Sequence, residues 1–461
     1  MSSHLPTAAI IGAGCSGITA LKGLVERGFD VTCFDASDRI GGNWVYENKN
    51  GMSACYRDLH INTSRLKMAY SDYPMPDDYP DYPRHDQIAT YFDAYVDNFG
   101  LRDRIRFETV VDNAARLDDG TWELTLAGGE QHRFDALVVA NGHHWNPRMP
   151  EPAFPGADGF EGIQLHAHEY MNPDLLAGKK VVVLGMGNSA MDIAVEASYV
   201  TDDVYLAARR GAHIVPKYIF GKPTDQLGGW ASSPRIPFKI RQKAIAKLVD
   251  TYVGDVSAFG LPKPDHEFGQ AHPTVSGRIL DRITHGAVTP KPNIREFDGR
   301  EVVFTDGSRV EADVVVYCTG YKITFPFFDE DLVSAPENQI ELFRRVFHPE
   351  IPNLFFVGLL QPLGSVMPLS EVQGTWIASY LEGQYALPPR TQLRRDIAED
   401  QAAMRSRYVA SKRHTIQVDF DDYLFNLARE RKRGAARAQA AGFALPVAPR
   451  ANAAAREVLA A

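Results

Sequence analysis

A glycine-rich segment near the start of the chain constrains its fold more than any other feature. The segment Gly12-Ala13-Gly14-Cys15-Ser16-Gly17 follows an apolar run at 8–11 and precedes a helical pattern at 18–27. A second apolar run then ends at Asp35, 23 residues after Gly12. In a dinucleotide-binding βαβ unit, such glycines allow a tight turn and close approach to a pyrophosphate, and the acid accepts hydrogen bonds from a ribose. We therefore predict a dinucleotide site that includes Gly12, Gly14, Cys15, Ser16, Gly17 and Asp35.

The same pattern occurs a second time. An apolar run at 181–184, preceded by two lysines, leads into Gly185-Met186-Gly187-Asn188-Ser189-Ala190, which is followed by a helical pattern and another apolar run. This run ends at Arg209 and Arg210 instead of an acid. A guanidinium there would pair with a 2′-phosphate, which favours NADP over NAD, although two solvated arginines after a strand are the alternative. The predicted second site comprises Gly185, Gly187, Asn188, Ser189, Arg209 and Arg210.

Two further apolar runs, at 134–142 and 312–320, both end in glycine and are typical of strands that return the chain between domains. We therefore predict an α/β protein with two Rossmann-like dinucleotide-binding domains, the second inserted into the first. The predicted division is 1–175 for the first part of the first domain, 176–305 for the second domain with a lid-like insertion at 221–290, 306–430 for the remainder of the first domain, and 431–461 for an Ala/Arg-rich tail whose helix frays.

Composition and charge limit the partners and the cellular location that we expect for the chain. The formal charge of −9 argues against nucleic-acid partners, and no apolar run reaches the 18 residues of a membrane span. The cysteines at 15, 33, 55 and 318 form no C-x-x-C pair, which favours reduced thiols and excludes a disulfide reductase. We predict a cytoplasmic protein without stable membrane insertion, possibly a homodimer.

The pattern F-x-G-x-x-x-H-x-x-x-Y, carried by Phe160, Gly162, His166 and Tyr170, resembles the identifying sequence of flavin-containing monooxygenases. Related Baeyer–Villiger monooxygenases have a similar pattern ending in Trp, so Tyr170 favours oxygenation of nitrogen or sulfur. The likeness covers about residues 5–430. It includes further segments at 41–44, 70–83, 318–321 and 359–376.

The resemblance implies FAD in the first domain and NADPH in the second. NADPH would reduce FAD, O₂ would give a C4a-hydroperoxyflavin, and an amine nitrogen, a sulfide sulfur or possibly an indole would take one oxygen atom. Alternatives are a Baeyer–Villiger monooxygenase acting on ketones and an NADPH oxidase or electron-transfer flavoprotein. Further cofactor contacts are expected from Gly42, Asn43, Trp44, Thr63, Val111, Gln361 and Gln373.

Asn62 matches the active-site asparagine of the family, and its amide can both donate and accept hydrogen bonds beside the reacting oxygen. The alternative is a helix cap, since Asn-Thr-Ser often begins a helix. The sequence has no nucleophile–base set and no metal-ligand cluster, so no metal is predicted and the chemistry is assigned to the flavin. His143 and His144 are interpreted as a loop pair, and His166 as a residue of the hinge between domains. We expect the substrate pocket in 221–290 and 359–376.

Overall fold

A computed structural model describes residues 5–229, 233–409 and 415–449. Its first sheet has five parallel strands, and most of their side chains are buried because both faces are covered. In spatial order the strands are Leu354–Phe356, Ala136–Val139, Ala8–Ile11, Val31–Phe34 and Ile105–Arg106.

The second sheet also has five parallel strands, and all of it lies between Val139 and Leu354 in the chain. Its spatial order is Thr289–Pro292, Val204–Ala208, Val181–Leu184, Val314–Tyr317 and Ile163–His166. The sequences VVVL and VVVY of two adjacent strands are fully buried, as β-branched strands covered on both faces should be.

The predicted limits of the second domain, 176 and 305, divide this second sheet. Ile163–His166 and Val314–Tyr317 lie outside those limits and pair with each other inside the sheet. The predicted lid is also wrong at its end, because Thr289–Pro292 forms the edge of the same sheet. Strand pairing depends on residues distant in sequence, so the apolar runs alone could not assign these strands to a sheet.

Smaller sheets complete the architecture. Two antiparallel three-stranded sheets comprise Val111–Arg116, Trp122–Leu126 and Gln131–Phe134, and Ile294–Asp298, Glu301–Phe304 and Arg309–Glu311. The strand pairs are Asn146–Pro147 with Tyr321–Lys322, Ile214–Val215 with Thr274–Val275, Tyr218–Ile219 with Lys222–Pro223, and Gln361–Leu363 with Gln417–Asp419. The first pair joins the two segments that lead the chain from one large sheet to the other.

The α-helices are Gly17–Val25, Arg65–Met68, His85–Asn98, Asn188–Ala197, Phe238–Val253, Ile279–Thr284, Met367–Leu381, Arg390–Arg407 and Phe420–Ala440. The last helix corrects the prediction of a tail that frays after 430. Its Glu430, Gly434 and Ala438 are buried, and Tyr385 donates a hydrogen bond to Glu430 at 2.9 Å. Alanine and glycine make the helix thin enough to pack closely there, a contact that composition does not reveal. Residues 450–461 lie outside the described part of the chain.

Candidate active site

One cavity of 1410 Å³ extends from the first glycine-rich segment to the second. It opens at the carboxyl ends of the central strands of both sheets, where ligands bind in parallel α/β folds. Among the residues predicted from sequence, those that line it are Gly12, Gly14, Cys15, Ser16, Asp35, Gly42, Asn43, Trp44, Asn62, Thr63, Val111, Gly185, Gly187, Asn188, Ser189, Arg209, Arg210 and Gln361. The two predicted residues absent from the lining are Gly17 and Gln373.

The first glycine-rich segment forms a close-packed turn. Gly12 has φ +104, and a Cβ there would lie 2.5 Å from the carbonyl oxygen of Ala140. A Cβ on Gly17 would lie 1.8 Å from the carbonyl oxygen of Gly12. Gly17 is therefore required for packing of the turn, which explains why it lies behind the cavity wall.

Asp35 supports this turn as well as facing the cavity. Its carboxylate accepts hydrogen bonds from the backbone N–H of Ala13 at 2.5 Å and of Ser37 at 2.7 Å. Burial raises the pKa of Asp35, while these two backbone donors oppose the shift. The group can thus hold the loop in shape and still present an acceptor to a ribose.

Gln373 was predicted to contact a cofactor, and its position is different. Its side chain is fully buried, accepts a hydrogen bond from the N–H of Gly358 at 2.9 Å, and donates to the Tyr423 hydroxyl at 2.8 Å. Gln373 therefore supports the turn after the strand Leu354–Phe356 from behind. Its helix could be predicted from sequence, but the face it presents could not.

The second glycine-rich segment also forms a close-packed turn. Gly185 has φ +147, and a Cβ there would lie 2.8 Å from the carbonyl oxygen of Cys318. The Asn188 side chain accepts a hydrogen bond from the N–H of Val275 at 2.9 Å. Arg209 and Arg210 are exposed at the cavity wall, and Arg210 donates through Nε to Asp265 at 2.7 Å.

Asn62 lies in a turn on the cavity wall and is not the helix cap. The short helix Arg65–Met68 has Ser64 at its N-terminal cap position. The preceding Ile61 is 1% exposed, so the turn is anchored by a buried side chain on one side and by Ser64, which is fully buried, on the other. The Asn62 amide is therefore available to a ligand in the cavity.

Of the four residues in the F-x-G-x-x-x-H-x-x-x-Y pattern, only His166 lines the cavity. Tyr170 is fully buried and donates to the Glu196 carboxylate at 2.6 Å, on the helix Asn188–Ala197. Gly162 lies so close to Phe160 that a Cβ would meet its ring at 2.6 Å. The pattern is thus mainly a packing motif of the second sheet.

Burial disfavours the charged form of two histidines of the cavity wall. Desolvation lowers the pKa of His143 to about 4 and likewise that of His166 to about 4. His143, interpreted from sequence as a loop residue, faces the cavity with Trp145, Arg148 and Tyr321. These residues follow the strands that end near 139 and 317, and the rule that ligands bind at the carboxyl ends of parallel strands could have identified them.

Contributions to the cavity from the expected substrate segments are unequal. The described part of 221–290 provides His272, whereas the 359–376 segment provides Leu360, Gln361, Pro362, Gly364, Ser365 and Val366. The four cysteines are free thiols, as predicted, and Cys15 and Cys318 both line the cavity.

Comparison with known proteins identifies the family. The sequence model described as "Flavin-binding monooxygenase-like" matches residues 6–434. Flavin-containing monooxygenase 5 of Rattus norvegicus is 39% identical over 440 residues, covering 91% of this chain and 81% of the relative. Dimethylaniline monooxygenase [N-oxide-forming] 2 of Rattus norvegicus is 32% identical, covering 92% of this chain and 82% of the relative. The chain belongs to the flavin-binding monooxygenase-like family.

Solved structures agree with this fold. S-allyl-L-cysteine S-oxygenase from Allium sativum superposes with a TM-score of 0.70 at 26% identity, covering 93% of this chain and 88% of that one. Cyclohexanone monooxygenase from Rhodococcus sp. Phi1 bound to NADP⁺ gives a TM-score of 0.69 at 21% identity, covering 97% and 100%. The second likeness concerns the fold alone.

The predicted class is therefore confirmed: this chain is an oxidoreductase, a flavoprotein monooxygenase that acts on small molecules with O₂. The predicted flavin is confirmed at the level of the family. NADPH as the second cofactor, and the residues that hold each cofactor, remain predictions. Within residues 5–229, 233–409 and 415–449, no helix is long and apolar enough to cross a membrane.

Proposed function

We propose that the chain transfers one oxygen atom from O₂ to an amine nitrogen or a sulfide sulfur, using FAD at the first glycine-rich segment and NADPH at the second. The observation that carries the proposal is the single cavity, which connects both segments and includes Asn62. Two Rossmann-like sites that share a chamber would let a nicotinamide and a flavin ring meet.

The residues at both ends fit these cofactors. The turns at Gly12 and Gly185 have no room for a side chain, so peptide groups can approach a pyrophosphate closely. Asp35 suits an adenosine ribose, and Arg209 with Arg210 suits a 2′-phosphate. When bound and reduced, FAD would supply the activation of O₂.

The protein's own contribution is positioning and control of protons. The pKa values of His143 and His166, lowered to about 4 by desolvation, disfavour a cationic imidazole at these two positions. The amide of Asn62 can donate one hydrogen bond and accept another without releasing a proton. Such a group would hold the nicotinamide or an oxygen atom in place without adding a proton to it or removing one from it.

The substrate class rests on two relatives and not on Tyr170. One relative is named for forming an N-oxide of dimethylaniline, and one solved structure is an S-oxygenase of S-allyl-L-cysteine. Both names describe oxygenation of a soft nucleophile. Tyr170 lies away from the cavity, so it cannot select substrates by contact.

The test is Asn62→Ala, assayed for product formed per NADPH consumed with hydrogen peroxide measured in parallel. A tertiary amine, a thioether and a cyclic ketone serve as substrates. Loss of one hydrogen bond of about 1–3 kcal/mol predicts roughly five- to 150-fold faster loss of hydrogen peroxide from the oxygenated flavin. Less product should form per NADPH, with peroxide in its place, and anaerobic flavin reduction should be unchanged. Asn62→Asp should be at least as damaging, because the ionised side chain only accepts hydrogen bonds.

Asn113→Ala, at an exposed strand position, is the matched control and should retain wild-type coupling. Normal coupling in Asn62→Ala with full FAD content would remove Asn62 from the mechanism and make Gln361 the next candidate. Lactone formation from the ketone as fast as sulfoxidation would instead establish the Baeyer–Villiger activity.

A further inference from the structure

The segment 217–226 holds the Asn62 turn from both sides. Lys217 donates through Nζ to the carbonyl oxygen of Ile61 at 3.2 Å, immediately before Asn62. On the other side, Asp225 accepts a hydrogen bond from the N–H of Ser64 at 2.7 Å. Gln226 adds a third contact, donating through Nε2 to the Ser64 hydroxyl at 3.0 Å. A short turn bonded at both ends has little freedom to move its central side chain.

The clasp formed by Lys217 and Asp225 is itself anchored in the first domain. The Tyr82 hydroxyl donates to the carbonyl oxygen of Lys217 at 2.6 Å, and the Lys217 ammonium lies 4.7 Å from the centre of the Tyr82 ring. Desolvation lowers the pKa of Lys217, which marks it as withdrawn from bulk water. Partly desolvated polar contacts are stronger than those on an open surface.

A continuous set of hydrogen bonds leads from this clasp to the second glycine-rich segment. The strand Ile214–Val215, just before Lys217, pairs with Thr274–Val275. Val275 in turn donates its N–H to the Asn188 side chain at 2.9 Å, and the Thr274 hydroxyl donates to the carbonyl oxygen of Met186. Met186 and Asn188 lie within the loop that is expected to meet the NADPH pyrophosphate.

We propose that Lys217 and Asp225 are positioning residues which link the Asn62 turn to the second glycine-rich segment, so that NADP⁺ in its site steadies Asn62. The importance of this link for catalysis rests on the proposed role of Asn62. The existence of the link between the two segments does not depend on that role. Cofactor binding restricts the motion of the loop at Met186–Asn188. The paired strands Thr274–Val275 and Ile214–Val215 are then restricted as well, and Lys217 and Asp225 in turn restrict the backbone on both sides of Asn62.

The first experiment measures hydrogen–deuterium exchange of the Ser64 amide in the FAD-loaded full chain, with and without NADP⁺. This amide is the one that donates to Asp225. In the wild type, NADP⁺ should slow its exchange. In Asp225→Ala, exchange should be roughly five- to 30-fold faster, as expected for loss of one hydrogen bond, and NADP⁺ should no longer change it.

Lys217→Met is the second variant, in case Asp225→Ala fails to fold, and it should also weaken the effect of NADP⁺ on Ser64. Its matched control is Lys222→Met, the same change at an exposed position of the adjoining hairpin, which should behave as wild type. Retained NADP⁺ protection of Ser64 in both clasp variants would overturn the proposal. So would unchanged exchange in Asp225→Ala.

The second experiment follows turnover. Lys217→Met should yield less product and more hydrogen peroxide per NADPH, with normal anaerobic flavin reduction, whereas Lys222→Met should remain coupled. Simple loss of stability would lower FAD content and both rates together, which separates positioning from a structural defect. If the wild type oxygenates neither amine nor sulfide, the proposed function fails. The exchange experiment still decides the link, since it requires only bound NADP⁺.

Discussion

The two glycine-rich segments are built alike but differ in their third small residue. A Cβ on Gly17 would lie 1.8 Å from the carbonyl oxygen of Gly12, so nothing larger than glycine fits. At the second segment the corresponding residue is Ala190, whose methyl group is accommodated in a fully buried position. The helix after the first segment therefore approaches its turn more closely than the helix after the second.

The two segments also differ in what covers them. The helix Gly17–Val25 packs against the distant helix Met367–Leu381, where Gly23 and Gly374 meet so closely that a Cβ on Gly23 would lie 3.0 Å from the Gly374 backbone. The helix Asn188–Ala197 is covered by the nearby helix Ile279–Thr284. The first site therefore depends on the C-terminal part of the chain, and the second is largely complete within its own segment.

The largest expected effect comes from substituting the third small residue of each glycine-rich segment, Gly17 or Ala190. Gly17→Ala forces a methyl group against backbone, and such overpacking costs typically 1–3 kcal/mol or more. We expect the affinity for FAD, and with it the FAD content of the purified protein, to fall at least about fivefold, since each 1.4 kcal/mol corresponds to a factor of ten. Ala190→Gly, the reverse change at the second segment, should cost only about 0.5–1 kcal/mol and leave NADP⁺ binding nearly intact. Equal losses in both variants would contradict the difference in packing.

A smaller effect should follow from the charges after the equivalent strands. Arg209→Ala with Arg210→Ala should lower the preference for NADPH over NADH by at least about tenfold, because each charge-assisted contact contributes about 1.5–3 kcal/mol. Singly, Arg209→Ala should matter more, since Arg210 is already paired with Asp265. Ratios of kcat/KM for the two coenzymes measure the change. Arg39→Ala, four residues after Asp35 in the first fold, is the control, and an unchanged ratio in the double variant would assign the 2′-phosphate to other residues.

The smallest expected effect concerns the carboxyl group of Glu196, on the helix Asn188–Ala197 that follows the second glycine-rich segment. Burial raises the pKa of Glu196 to about 7, above its ordinary 4.5, and the Tyr170 hydrogen bond only partly opposes this. The protonated form is thus favoured on folding, so its contribution to stability is complete below the unfolded pKa and is lost as pH rises through about 7. Between about pH 5 and about pH 8, the Tm of Glu196→Gln should therefore fall less than that of the wild type, by on the order of 1–3 °C.

Glu26→Gln is the matched control for Glu196→Gln, because Glu26 adjoins the first helix and is paired with Lys22 at 3.0 Å. The pH dependence of its Tm should resemble the wild type. Thermal unfolding of the FAD-loaded protein across this range measures both variants. A Glu196→Gln curve parallel to the wild type would mean that this carboxyl group does not titrate near neutrality.

Local sequence determined both glycine-rich turns and the residues at the ends of their second strands. Turn, helix and strand lie within a few tens of residues there, and the backbone conformation that Gly12 or Gly185 requires follows from the residue itself. The resemblance to a known family pointed to Asn62, which lies on the cavity wall, and its role stays a prediction.

Tertiary structure alone decided which residues face the cavity and which support it. Gln373 and Tyr170 belong to recognisable segments but point into packed interior, and the strands at 163 and 314 join a sheet that the predicted boundaries divided. The clasp of Lys217 and Asp225 around Asn62 carries no sequence pattern, because it joins residues more than 150 positions apart in the chain. Local propensity acts over a few residues, whereas the partner of a side chain is chosen by how distant elements pack.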